Sequence, residues 1–142
     1  MYTGFQHLHS ALAYLFLIVM VMSILYFLVG LFTKKPFTKL SKGVALSALI
    51  IAHVQLLIGI VLYFVSPLGL SNFSGDAMGD ATQRLYMLEH PLINIVGIAL
   101  ITAGYVLSKR ASDLNTKYRL LVIYYTLGFG LVMLRIPWDN WP

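Results

Sequence analysis

The chain contains no cysteine, which excludes disulfides, thiolate metal sites, a thiol nucleophile and the covalent attachment of a c-type haem. Any bound metal has to rest on nitrogen, oxygen or methionine sulfur. Charge is scarce as well. Only 11% of the 142 residues are charged against 59% hydrophobic, and the mean hydropathy is +0.82, too little polar surface for a water-soluble domain of this length. Acidic residues number five; none falls in the first apolar stretch, and no stretch holds the pair of buried acids expected of a proton- or metal-handling transporter. The start, MYTGFQHLHS, lacks the basic n-region of a cleaved signal peptide, and the apolar stretch behind it is too long for one. It reads as a retained first membrane span.

What is present is apolar sequence in four blocks, with basic residues between them. Stretches long enough to cross about 30 Å of hydrocarbon run roughly over 5–32, 44–66, 85–107 and 119–136. They predict an all-α, integral-membrane, up-down-up-down four-helix bundle, with residues 1–142 as a single four-transmembrane-helix domain. The net charge of +5 is concentrated in two connections: Lys34, Lys35, Lys39 and Lys42 in one, and Lys109, Arg110, Lys117 and Arg119 in the other. These are membrane-flanking clusters and not a phosphate-reading face, so no nucleic-acid partner is expected. The positive-inside rule puts both connections in the cytoplasm and both termini, with the 67–84 loop, on the outer side.

Membrane helices pack through small and polar residues. On the first span His9, Ala13, Phe16, Met20, Ser23, Phe27 and Gly30 recur at spacings of three and four, placing His9 on the inward face. His7 lies about 200° away and reads as interfacial. The second span offers Ala45, Ala48, Ala52, Gln55 and Gly59, with His53 about 100° to the side of Gln55. The third offers Gln83, Met87, His90, Asn94, Gly97, Ile101 and Gly104, and the fourth Leu121, Tyr125, Gly128 and Arg135.

First and third spans occupy diagonal corners of such a bundle, roughly 12–14 Å apart when neighbouring axes are 8–10 Å apart. Two imidazoles meeting on a common iron fill about that distance, whereas a bare tetrahedral ion needs more ligands drawn closer together. His9 and His90 are therefore candidate axial ligands of one b-type haem. His53 with either of them is the internal variant, and the small residues Ala13, Ala52, Gly59 and Gly97 are expected to leave room for a macrocycle. Arg135 and Arg84, at the same end, are candidate partners for the haem propionates. One tension is depth: counted from the apolar centres, His9 lies about 8 Å further out than His90. Plainer explanations stand beside each residue. His9 suits headgroup contact, His90 local bonding to backbone or Glu89, His53 a hydrogen bond to a neighbouring helix, and Tyr124, Tyr125 and the methionines ordinary packing.

The order of these motifs resembles one four-helix half of the haem A synthase family. HLHSALAYL, HVQLLIGIVLYFVSP and RLYMLEHPLINIVGIALITAGYVL stand where that half has its first ligand histidine, a Gln-x-x-x-Gly element matched by Gln55 and Gly59, and its second ligand histidine. The resemblance implies His9 and His90 as the ligands. The chain also resembles the small four-span bacterial membrane proteins labelled cytochrome b-like, through HLHS, the AHxQLLIG stretch, EHP and the closing IPW, which implies the bacterial inner membrane. Phe5 stands where the synthase half has a glutamate, four residues before His9, and the chain has no second half for another cofactor. Haem binding is expected and haem A synthesis is not. Two axial imidazoles leave no open iron position, which favours electron transfer over catalysis, with a quinone or other membrane redox subunits as partners and His53, Gln55 and Tyr63 expected either to serve a quinone pocket or to tune the haem. The competing expectation is a cofactor-free structural or assembly subunit of a larger membrane complex.

Overall fold

The computed structural model describes residues 1–141. It is 83% helical, without strands among those residues. Four helices, α1 (Tyr2–Phe32), α2 (Lys39–Val65), α3 (Ala81–Arg110) and α4 (Leu114–Leu134), are long and apolar enough to cross a membrane. Their outer faces carry Ile18, Met22, Leu25, Leu57 and Phe64 in the open, so the solvent that suits them is lipid and the protein is a multi-pass membrane protein.

Each helix begins before the apolar window that announced it. Thr38 and Ser41 form a reciprocal capping box that starts α2 at Lys39; Asp80 accepts from the Gln83 N–H at 2.8 Å and starts α3 at Ala81. Asp113 accepts from the Thr116 N–H at 2.7 Å and starts α4 at Leu114. Hydropathy marks the lipid-immersed segment; these caps carry the helices into the headgroup region. The Thr116 amide holds the Asp113 carboxyl below its ordinary value of 3.8. That contribution is present above pH 3.8 and is lost only as the pH falls through the lowered pKa. At the far end of α1, Lys34 adopts a φ of 52°, which lets the Lys35 N–H reach the Gly30 carbonyl at 3.1 Å and reverses the chain.

The helices pack in a ring: α3 most extensively on α4, α1 on α2, then α1 on α4 and α2 on α3. α1 and α3 are diagonal. The expected α1 stripe is the one that turns inward, with Phe16, Met20, Ser23, Phe27 and Gly30 buried. Ala45, Ala48 and Ala52 of α2 face it with almost no side-chain volume, which lets α1 bring phenyl and thioether groups to the centre. Tyr125 is fully buried, stacks edge-on against Phe27 at 5.5 Å and donates to the Ala45 carbonyl at 2.8 Å.

α3 and α4 approach most closely at Gly97 and Gly128. A Cβ on Gly97 would lie 2.7 Å from the Gly128 carbonyl oxygen, and one on Gly128 would overlap the Gly97 carbonyl. The room expected at Gly97 for a macrocycle is therefore taken by α4 backbone; the glycine serves a helix crossing.

The chain between α2 and α3 is ordered rather than loose. It contains a 3-10 turn at Leu70–Asn72 and a short helix at Gly75–Gly79, and Asn72 donates to the Gln83 side chain at 3.0 Å.

Candidate functional site

The site forms at the end of the bundle that carries residue 1 and the α2–α3 connection, opposite the lysine-rich turns. His9 projects from α1 and His90 from α3. Their ring centroids lie 6.2 Å apart with planes at 82°. The depth mismatch expected from apolar centres is about halved because the helices extend beyond those centres. Measured from the midpoints of Tyr2–Phe32 and Ala81–Arg110, the two histidines differ by about 4 Å at 1.5 Å per residue.

His90 is held in one tautomer. Its Nδ1 lies 2.7 Å from the carbonyl oxygen of Arg135. A carbonyl only accepts, so Nδ1 carries the proton and Nε2 keeps its lone pair. Arg135 follows the last turn of α4, where carbonyls have no intrahelical donor, so the bond satisfies both groups. Asn94, one turn along α3, donates to the His90 backbone carbonyl at 2.6 Å.

The backbone before His90 departs from α-geometry. Leu85–Glu89 form a π-turn in which the His90 N–H bonds the Leu85 carbonyl. Pro91 is the cause. It has no N–H for the Met87 carbonyl, and its ring would clash with that oxygen in a regular helix. The freed Met87 carbonyl accepts instead from the Tyr63 hydroxyl of α2, at 2.9 Å. Tyr63→Phe removes that donor and leaves the carbonyl unpaired, an expected loss of about 1–3 kcal/mol, checked by denaturant titration in detergent.

His9 has a different environment. Gln55 Nε2 donates to the His9 backbone carbonyl at 3.1 Å and lies 3.4 Å from the His9 Nε2. Gly59, one turn further along α2, faces the ring; a Cβ there would sit 3.0 Å from the His9 Cε1. His9 Nδ1 and Gln55 Oε1 are buried without any hydrogen-bond partner. Buried polar atoms of that kind are uncommon and call for a ligand or a functional reason.

Thus His9, His90, Gln55 and Gly59 come together as the sequence suggested. His53 does not join them. It lies on the exposed side of α2, its Nδ1 2.9 Å from the Leu49 carbonyl and its Nε2 3.5 Å from the Thr102 hydroxyl. The candidate quinone set is spread along α2: His53 and Tyr63 are about 15 Å apart along the axis, and each has its own partner. Arg135 contributes its backbone to His90 while its guanidinium pairs with Glu89 at 3.3 Å; Arg84 pairs with the same carboxylate at 2.8 Å. The Arg135 carbonyl and the Tyr63–Met87 bond have no sequence signature. Asn94 did, as the next residue on the inward stripe of α3.

The donor set limits what the pair can hold. Among the described residues no group of three or more histidine, acidic or cysteine side chains is placed to bind a metal ion, so a bare ion would lack ligands. A group that brings its own equatorial nitrogens needs only two. Two metal–imidazole bonds of about 2.0 Å, with about 1.1 Å from each nitrogen to its ring centre, require roughly 6.2 Å between ring centres. The observed spacing and the unspent nitrogens fit such a group. Comparison of the chain with protein-family models, curated proteins and solved structures finds no match.

Proposed function

We propose that the protein is a b-type cytochrome of the bacterial inner membrane, holding one haem between His9 and His90. The observation that carries the reading is the pair itself, two imidazoles 6.2 Å apart across the bundle diagonal, with no third histidine, cysteine or acidic side chain grouped with them among the described residues. His9 and His90 would hold the haem, and bound there it would supply reversible one-electron transfer. The chain's own residues orient and protect. The Arg135 carbonyl fixes the His90 tautomer, a hydrogen bond of the kind that accompanies metal-bound histidine and strengthens it as a ligand. Gln55 anchors the α1 backbone at His9, and Gly59 leaves the ring its space. Glu89 pairs with both Arg84 and Arg135; in this reading the two guanidiniums exchange that carboxylate for the haem propionates. With the lysine-rich turns in the cytoplasm, both termini and the site lie on the periplasmic side, and electrons pass there between a quinol or partner protein and another redox centre.

A dithionite-reduced minus oxidised spectrum of the protein, purified from membranes of cells supplied with haem, tests this reading. A sharp band in the α region is expected. A folded protein without that band would overturn the proposal and leave a cofactor-free assembly subunit as the better account.

A further inference from the structure

The opposite end of the bundle holds a second feature that owes nothing to the histidine pair. Where α2, α3 and α4 meet, a cavity of about 150 Å³ is ringed by Lys42, Lys109 and Lys117, one from each helix, with Ser108, Tyr105 and Phe37 between them. Lys117 Nζ donates to the Ser108 carbonyl at 3.0 Å and lies 5.8 Å from the Phe37 ring centre. Lys109 Nζ lies 5.6 Å from that of Tyr105. Two ammonium groups are therefore steered toward the cavity by a carbonyl and by aromatic faces, and among the described residues no carboxylate pairs with any of the three.

Charge at this end is one-sided. Eight of the ten basic residues and only one of the five acids, Asp113, belong to it. That acid caps α4 through Thr116 and lines a separate depression with Lys34 and Lys35. Three cations around one small cavity repel each other unless an anion sits among them. Phe37, Ala45 and Tyr105 give the cavity apolar lining beside the lysines, and Leu46 and Val106, the chain neighbours of Ala45 and Tyr105, are exposed apolar side chains on the same helices. A ligand that satisfies both has a phosphate above and acyl chains below.

We propose that this cavity binds the phosphate headgroup of an anionic phospholipid through Lys42, Lys109 and Lys117. Basic pockets between membrane helices recognise headgroups in this way, each lysine contributing about fivefold in affinity. The test uses the full-length protein in detergent, titrated with phosphatidylglycerol and with phosphatidylcholine, with bound lipid read by native mass spectrometry. Phosphatidylglycerol is expected to be retained in preference. The pair Lys42→Gln with Lys117→Gln should weaken it about 25-fold. The pair Lys42→Gln with Lys109→Gln, which keeps the Lys117–Ser108 bond, should do the same. Lys34→Gln with Lys35→Gln removes equal charge outside the cavity, where screening by the buffer weakens its pull on a lipid in the cavity, and should change retention far less than either cavity pair. Equal loss in all three pairs would mean diffuse surface attraction and end the proposal. Equal retention of phosphatidylcholine, or displacement of phosphatidylglycerol by millimolar inorganic phosphate, would overturn the lipid assignment.

Discussion

Replacing either His90 or His9 by alanine is expected to abolish the low-spin signature of the proposed bis-histidine haem and to lower haem content by more than about tenfold. Loss of an outer-shell partner already costs 10–100-fold in affinity, and removing an axial ligand removes the bond that partner supports. His7→Ala should leave the spectrum unchanged: His7 is two residues away on the same helix but on its exposed side. The comparison separates ligation from general disturbance of the outer end of α1. Electron paramagnetic resonance and the reduced-minus-oxidised difference spectrum are the measurements. A low-spin spectrum that persists in both His9→Ala and His90→Ala would remove the pair from the ligand set. Asn94→Ala provides a graded companion, since it removes the bond to the His90 backbone carbonyl at 2.6 Å and the 3.2 Å approach of the Asn94 amide to the His90 Nδ1 while leaving the imidazole itself in place.

The second large effect concerns the scaffold. Gly128→Ala is expected to destabilise the bundle by about 1–3 kcal/mol, the usual cost of overpacking a contact that cannot yield. The added methyl would meet the Gly97 carbonyl and come within 2.8 Å of Ile101 Cγ1; backbone is on one side of it, so α3 and α4 must separate. Gly130→Ala, two residues along the same helix, meets nothing within 4 Å. It should be neutral or gain up to about 1 kcal/mol from helix propensity. Thermal or denaturant unfolding of the two variants in the same detergent gives the comparison, and equal stability would show that the close crossing is dispensable. Because α4 delivers the Arg135 carbonyl to His90, separation of α3 from α4 should also broaden the spectrum of the proposed haem.

Much of this arrangement was legible without coordinates. Alternation of apolar blocks with lysine-rich turns specifies four membrane helices, because only internally bonded backbone survives in hydrocarbon. The spacing of small and polar residues on α1 identifies the buried face down to Gly30. Helix ends were less legible, since Thr38, Asp80 and Asp113 act through single hydrogen bonds in polar sequence that hydropathy passes over. Gly97 was misread for a related reason. A glycine stripe states that something comes close but not what, and here the close group is Gly128.

The sequence by itself determined the number of spans, their inward faces and the presence of two histidines near one end, because these follow from side-chain chemistry repeated along a helix with a fixed period. Only the tertiary structure decided that those rings stand 6.2 Å apart, that His53 is turned away from them, and that His90 is locked by the carbonyl of Arg135. Those facts depend on where one helix lies against another. That placement is set by backbone approach at two glycines and by a carbonyl freed where Pro91 interrupts the ladder, and a carbonyl has the same chemistry at every position in the chain.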